Sequence, residues 1–232
     1  MTTNTTTKVA LVTGGSAGLG VALCRALAER GWHVITDGRS EEKFKAAALP
    51  DGVSVVVGDL TDADHRARLA TEVEAHERLD LLVHNASTLG PLPMRPLASV
   101  DIADLQHVWR TNIGGPLVLT SALLPWLRAA QGVLLSLSSD AAVNHYETWG
   151  LYGASKAALD HVTLTYGAET GLTAYAVDPG DMRTAMHQDA FPGEDISDRP
   201  LPETVVPRLL ALLDAHPESG RYRAADLGGA LG

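Results

Sequence analysis

The sequence predicts an α/β domain: a doubly wound, Rossmann-like parallel sheet of about seven strands with helices on both faces. Three observations predict it. Short β-type runs alternate with helical stretches from end to end, without a composition break or an internal repeat. The first run passes directly into a glycine-rich turn that opens a helix. The chain has 232 residues, 45% apolar and 20% charged, which suits one large domain with a substantial core.

The elements follow in order. Residues 9–12 read Val-Ala-Leu-Val, a first strand, and 13–20 are glycine-rich. A helix is expected over 18–29, with Leu23, Ala26 and Leu27 on one face and Gly31 as its stop. Strands are expected at 33–36, 53–57, 81–83, 133–137 and 172–177, and a last edge strand at 221–224. Between them lie helices over 41–49, from a cap at Thr61 or Asp62 to 77, through a segment ending near 168, and over 203–216. Residues 102–127 predict a long helix bent at Gly114, Gly115 and Pro116. The prolines of 90–96 predict a loop, and 189–202 a long irregular connection. Residues 8–232 are expected to form one domain behind a flexible threonine-rich tail, 1–7.

Charge and composition narrow the function. A formal net charge of −10 argues against general nucleic-acid binding. Cys24 is the one cysteine, so no disulfide forms within the chain, and it reads as buried packing. The nine histidines show no metal-ligand spacing, so no metal is expected. The tail lacks an apolar signal core, and no stretch is expected to span a membrane, which together predict a soluble cytoplasmic protein.

Tyr152 and Lys156 carry the sharpest chemistry. Four residues apart on a helix, they share one face, and a cation beside a phenol favours the phenolate and is expected to lower its pKa. A general acid/base works best with its pKa near the working pH. The spacing alone is weak, because it arises often on surface helices. The glycine turn, spaced G-x-x-x-G-x-G, adds a second site: glycines there let a pyrophosphate approach a helix N-terminus.

With Asn85-Ala86, Asn112, Ser139, Tyr152-x-x-x-Lys156 and Pro179-Gly180, the chain resembles the short, single-domain branch of the short-chain dehydrogenase/reductase family over nearly its whole length. The resemblance implies hydride transfer between a nicotinamide cofactor and a small carbonyl or alcohol. Tyr152 would be the acid/base, Lys156 would tune it and bind ribose, Ser139 would hold the substrate oxygen, and Asn112 would hold a relay water. Thr13, Gly14, Ser16, Gly18, Leu19 and Gly20 would cradle the cofactor. Asp59 and Leu60 would flank adenine, and Asn85 and Ala86 the ribose. Pro179, Gly180 and Thr184 would meet the nicotinamide, with Tyr152 and Lys156 beside it. Gly38, Arg39 and Ser40 would face a 2′-phosphate, favouring NADP(H) over NAD(H). Asp37 leaves two alternatives: shifted by one residue it is the NAD-selecting acid, and otherwise it is a solvated turn residue.

Ser138 reads as local structure, and His84 as packing at a strand end. Ser87 replaces the family's glycine and adds a side chain near the cofactor. His145, Trp149, Met182 and Met186 are the substrate-pocket candidates, and the family's lid begins at the last two. Family members are commonly homodimers or homotetramers, and Leu117, Leu119, Leu123 and Leu124 fit either core or interface. A cofactor-binding sensor without catalysis is the alternative function, against which the complete serine, tyrosine and lysine set counts. The glycine spacing counts against an epimerase of the family's extended branch.

Overall fold

The computed structural model describes residues 7–228. Residues 1–6 of the expected tail lie outside the described residues. Seven strands form one sheet: β1 (Val9–Val12), β2 (His33–Gly38), β3 (Val53–Val57), β4 (Leu81–His84), β5 (Val133–Leu137), β6 (Thr173–Asp178) and β7 (Gly220–Arg223). Their order is β3-β2-β1-β4-β5-β6-β7, and every neighbouring pair is parallel. The order reverses between β1 and β4. A crevice therefore opens at the carboxyl ends of these two strands, the place where such sheets bind ligands.

The helices are α1 (Gly18–Glu29), α2 (Glu41–Ala47), α3 (Ala63–Glu74), α4 (Ile102–Trp109), α5 (Gly115–Ala130), α6 (Gly150–Thr170), α7 (Ala185–Ala190) and α8 (Pro202–Ala215). One core packs Leu19, Leu23 and Leu27 of α1 and Val205, Val206 and Leu209 of α8 against one face of the sheet. The other packs Leu69 and Val73 of α3 and Leu119, Leu123 and Leu127 of α5 against the opposite face. Strand side chains alternate between these two cores: Ala10 and Val12 enter the first, Val9 and Leu11 the second. Both faces of β1 are thus dry, as its unbroken apolar run predicts.

Several boundaries differ from expectation. Strand β2 continues to Gly38, because Asp37 and Gly38 pair with Val56 and Val57 of β3. Helix α2 stops at Ala47, with Ala48 in the left-handed region as its C-cap, and the connection after residue 182 contains the short helix α7, capped by Thr184. The long helix is interrupted by a π turn, Arg110–Gly114, which ends at the first of the expected glycines. Residues Ile102–Ala130 are, by length and composition, apolar enough to cross a membrane, which corrects the reading that no stretch is. Here the segment lies against the sheet, with Val108, Leu119, Leu123 and Leu127 in the core. Of the four leucines in doubt, Leu119 and Leu123 are core, Leu124 is partly buried and Leu117 is exposed.

Candidate active site

The glycine turn is braced by the protein itself. Gly14 has φ +72°, and a Cβ there would lie 2.9 Å from the Ala86 Cα, so both conformation and space require glycine. The Asn85 amide donates to the Thr13 and Gly14 carbonyls at 2.8 and 3.0 Å. The Thr13 hydroxyl donates to the Val83 carbonyl and accepts from the Asn85 and Ala86 N–H groups. Thr13 is wholly buried. Its side chain therefore holds the turn, which leaves its backbone to face a ligand. Leu19 is likewise core, so only its backbone remains to face a ligand. Helix α1 has Ala17 as its N-cap residue, which provides no side-chain cap. Its first-turn N–H groups lack that partner and sit at the positive end of the helix dipole, which suits a phosphate. Ser16 and Gly18 flank this end, and Thr184 approaches Gly18 from the lid.

Asp37 resolves against both of its alternatives. It is 2% exposed. One carboxylate oxygen accepts from the Gly14 N–H at 2.8 Å, and the other meets the His65 Nε2 at 2.9 Å. It is neither a ribose-reading acid nor a solvated turn residue, but a buried strut between the glycine turn and α3. The residue left at the end of β2 is Arg39, which is exposed. Ser40 caps α2, accepting from the Lys43 N–H at 3.2 Å, and its hydroxyl donates to Glu42. The cap role removes much of its capacity for a phosphate. Gly38 abuts Ser16, joining the strand end to the glycine turn. Asp59 accepts from the Thr61 N–H at 2.8 Å. Burial pushes its carboxyl up, but Thr61 and the nearby Arg39 outweigh that and hold it below the usual range. The Leu60 side chain packs into the α3–α5 core.

Ser139 ends the segment after β5, while Tyr152 and Lys156 lie in the first turns of α6. The Lys156 Nζ stands 5.6 Å from the Tyr152 ring centroid and donates to the Leu137 carbonyl at 2.9 Å. Burial pulls the Lys156 ammonium down to about 8, with Asp160 opposing. Burial also pushes the Tyr152 phenol well above its ordinary value, and the Ser139 and Ser87 hydroxyls only partly offset this. The expected lowering by lysine is thus reversed, because desolvation penalises the phenolate more than its neighbours stabilise it. Asn112 lies in the π turn, fully buried. Its amide donates to the Thr88 carbonyl and the Ser155 hydroxyl, and its oxygen accepts from the Thr88 N–H and the Ser87 hydroxyl. Both amide hydrogens are committed, so this side chain fastens α6 to the loop after β4.

A charged network under the Ser138–Ser139 turn was not anticipated. Ser138 donates to Asp160 at 2.7 Å, and the Arg221 guanidinium reaches Asp160 at 3.0 Å and the Ser139 carbonyl at 2.9 Å. Asp160 is four residues after Lys156, a spacing that could have flagged it. Arg221 could not have been found that way, since only the strand order brings β7 beside β6. Burial raises the carboxyls of Asp160 and Asp178 despite these partners. His84 is buried against Thr120 and pushed down to about 3, so it stays neutral.

The substrate candidates separate. Trp149 stands edge-on to Tyr152, with ring centroids 5.8 Å apart, and also meets Phe191 of the lid at 5.7 Å. Met186 lies exposed on α7. Met182 instead packs against the α1–α8 core, and His145 is exposed. Gly180, after Pro179, donates its N–H to Asp178 at 3.0 Å. A cavity of about 630 Å³ lies at the other end of the sheet, lined by Arg30, Arg128 and His216 near helix C-termini. None of the predicted site residues lines it.

Comparison with known proteins identifies the family. The short chain dehydrogenase family model matches residues 8–195. A serine 3-dehydrogenase of Agrobacterium fabrum is 33% identical over 75% of this chain and 72% of its own. An uncharacterised Escherichia coli oxidoreductase is 31% identical over 89% and 86%. Among solved structures, a Shigella flexneri short chain dehydrogenase complexed with NADP superposes with TM-score 0.86, at 30% identity, over 94% of this chain and 97% of that one. An Escherichia coli homologue complexed with NADPH gives TM-score 0.85, at 31% identity, over 94% and 96%. With the glycine turn, the serine, tyrosine and lysine set and the parallel sheet joined in one crevice, the chain belongs to the short-chain dehydrogenase/reductase family of oxidoreductases.

Proposed function

We propose that the chain is an NADP(H)-dependent reductase of small carbonyl compounds, running in reverse as an alcohol dehydrogenase. The observation that carries this reading is the meeting of Ser139, Tyr152 and Lys156 at one crevice with the uncapped N-terminus of α1. The glycine turn and α1 would hold the pyrophosphate, and Arg39 the 2′-phosphate. Burial of Asp37 supports NADP(H), because the one carboxylate in β2 is already engaged by Gly14 and His65. The NADP and NADPH complexes of the two structural relatives point the same way.

When bound, the nicotinamide supplies or accepts the hydride. The residues of this chain do the rest. Ser139 and Tyr152 would donate to the carbonyl oxygen, where negative charge develops. Tyr152, held protonated by burial, would release its proton to that oxygen. Lys156, buried and with one hydrogen bond to Leu137, would use its remaining hydrogens on the ribose. Asn112, held in the π turn between the loop after β4 and α6, would hold a water that connects Lys156 to solvent. Alcohol oxidation needs the phenolate, so its rate should climb with pH while reduction near neutrality should not.

Ile102, Leu105, Trp109, Leu117 and Val118 leave an exposed apolar face on α4 and α5. We read it as the contact of a homodimer or homotetramer.

The test is NADPH consumption over a panel of ketones and aldehydes, repeated with NADH. Carbonyl-dependent consumption with NADPH preferred is the expected result. Tight NADPH binding without turnover of any carbonyl would overturn it.

A further inference from the structure

The wall above Tyr152 is aromatic and the charge beside it is negative. Tyr152, Leu89 and Ala141 form a small buried cluster against which Trp149 and Met94 pack. Trp149 extends the wall to Phe191, at 5.7 Å, and to Tyr146, at 6.5 Å between centroids. Flat apolar surfaces of this kind favour ring-sized apolar groups.

The charge comes from Asp140, the residue after Ser139. Its Oδ1 accepts from the Ser139 hydroxyl at 3.2 Å, and its Oδ2 from the Tyr146 hydroxyl at 2.7 Å. The carboxylate is thereby held against the hydroxyl assigned to the substrate oxygen. Asp140 and Asp178 both act on the Tyr152 phenol, so their field reaches the reacting position. The nearby arginines are committed elsewhere. Arg199 pairs with Asp198 and Asp181, Arg183 bonds the Ser197 carbonyl, and Arg221 holds Asp160. A substrate carboxylate next to the carbonyl would meet Asp140 at short range, while Arg221, Arg183 and Arg199 are engaged by protein groups.

Resting on the reductase reading, we infer that the site takes an uncharged carbonyl compound bearing a ring-sized apolar group, and that Asp140 excludes carboxylates. Selectivity of this kind is repulsive by construction.

The experiment compares benzoylformate with its methyl ester, two ketones of one skeleton, using NADPH and purified full-length protein. Wild type should favour the ester in kcat/KM by roughly 100-fold. Asp140→Asn keeps the shape and the Tyr146 contact but removes the charge, and should lower the ester-to-acid ratio about tenfold. The ratio is the readout because it cancels any general effect on Ser139, and NADPH binding checks the fold of the variant. Equal turnover of acid and ester by wild type overturns the inference. So does a ratio unchanged in Asp140→Asn, or reduction of small aliphatic aldehydes with neither aromatic ketone accepted. If NADPH binds and no carbonyl is reduced, the reductase reading falls and this inference with it.

Discussion

The two halves of the crevice handle their polar groups in opposite ways. In the half built by β1, β2 and the loop after β4, the polar groups around the glycine turn are paired within the protein: Asp37 with Gly14 and His65, Asn85 with the turn carbonyls, Thr36 with the Val12 carbonyl. In the half built by β5, β6 and α6, burial moves groups away from their ordinary pKa values. Tyr152 is pushed up, Lys156 is pulled down to about 8, and Asp160 is raised with one buried oxygen unpaired. The first half is a preorganised cradle that loses little order on binding. The second keeps an electrostatic imbalance, which is what a proton-transferring site needs and a merely binding site does not.

Breaking the cradle should cost stability and spare selectivity. Asp37→Ala strands the Gly14 N–H and His65, and should lower unfolding free energy by about 3 kcal/mol. Denaturant melts measure it. The Michaelis constants for NADPH and NADH should rise together, and a selective rise for NADH would restore Asp37 as the ribose-reading acid.

Relieving the catalytic half should do the reverse. A folded Lys156 pKa near 8, against an ordinary 10.5, means the unfolded chain binds the extra proton between those values. Lysine burial therefore opposes folding fully below about pH 8, and the opposition fades as pH rises toward 10.5. Lys156→Met should abolish activity yet gain on the order of 3 kcal/mol in stability at pH 7. Its stability should also lose the wild-type rise across that window. Urea titrations at several pH values decide it.

Arg39→Ala should raise the NADPH Michaelis constant by roughly tenfold and leave that for NADH nearly unchanged, the loss of one exposed charge-assisted contact. Equal changes for both cofactors would remove Arg39 from the phosphate site.

The cradle was more legible in the sequence than the reaction centre. Strand runs, the glycine turn and the i, i+4 pair are local patterns, and each is found as an element, with strand ends shifted by one or two residues. Asp37 was not legible, because its burial depends on β2 continuing to pair with β3, a tertiary fact. Arg221 and Asp160 meet across a gap of 61 residues, and the phenol's shift depends on how deeply Tyr152 is buried. Burial and cross-strand neighbours come from the strand order, which no local window contains.

The most direct measurement is single-turnover reduction of methyl benzoylformate by Tyr152→Phe, beside NADPH binding measured by fluorescence. The account predicts NADPH affinity within about threefold of wild type and a hydride-transfer rate lower by about a thousandfold. A Tyr152→Phe variant that reduces the ketone at the wild-type rate would contradict the assignment of Tyr152 as the proton donor.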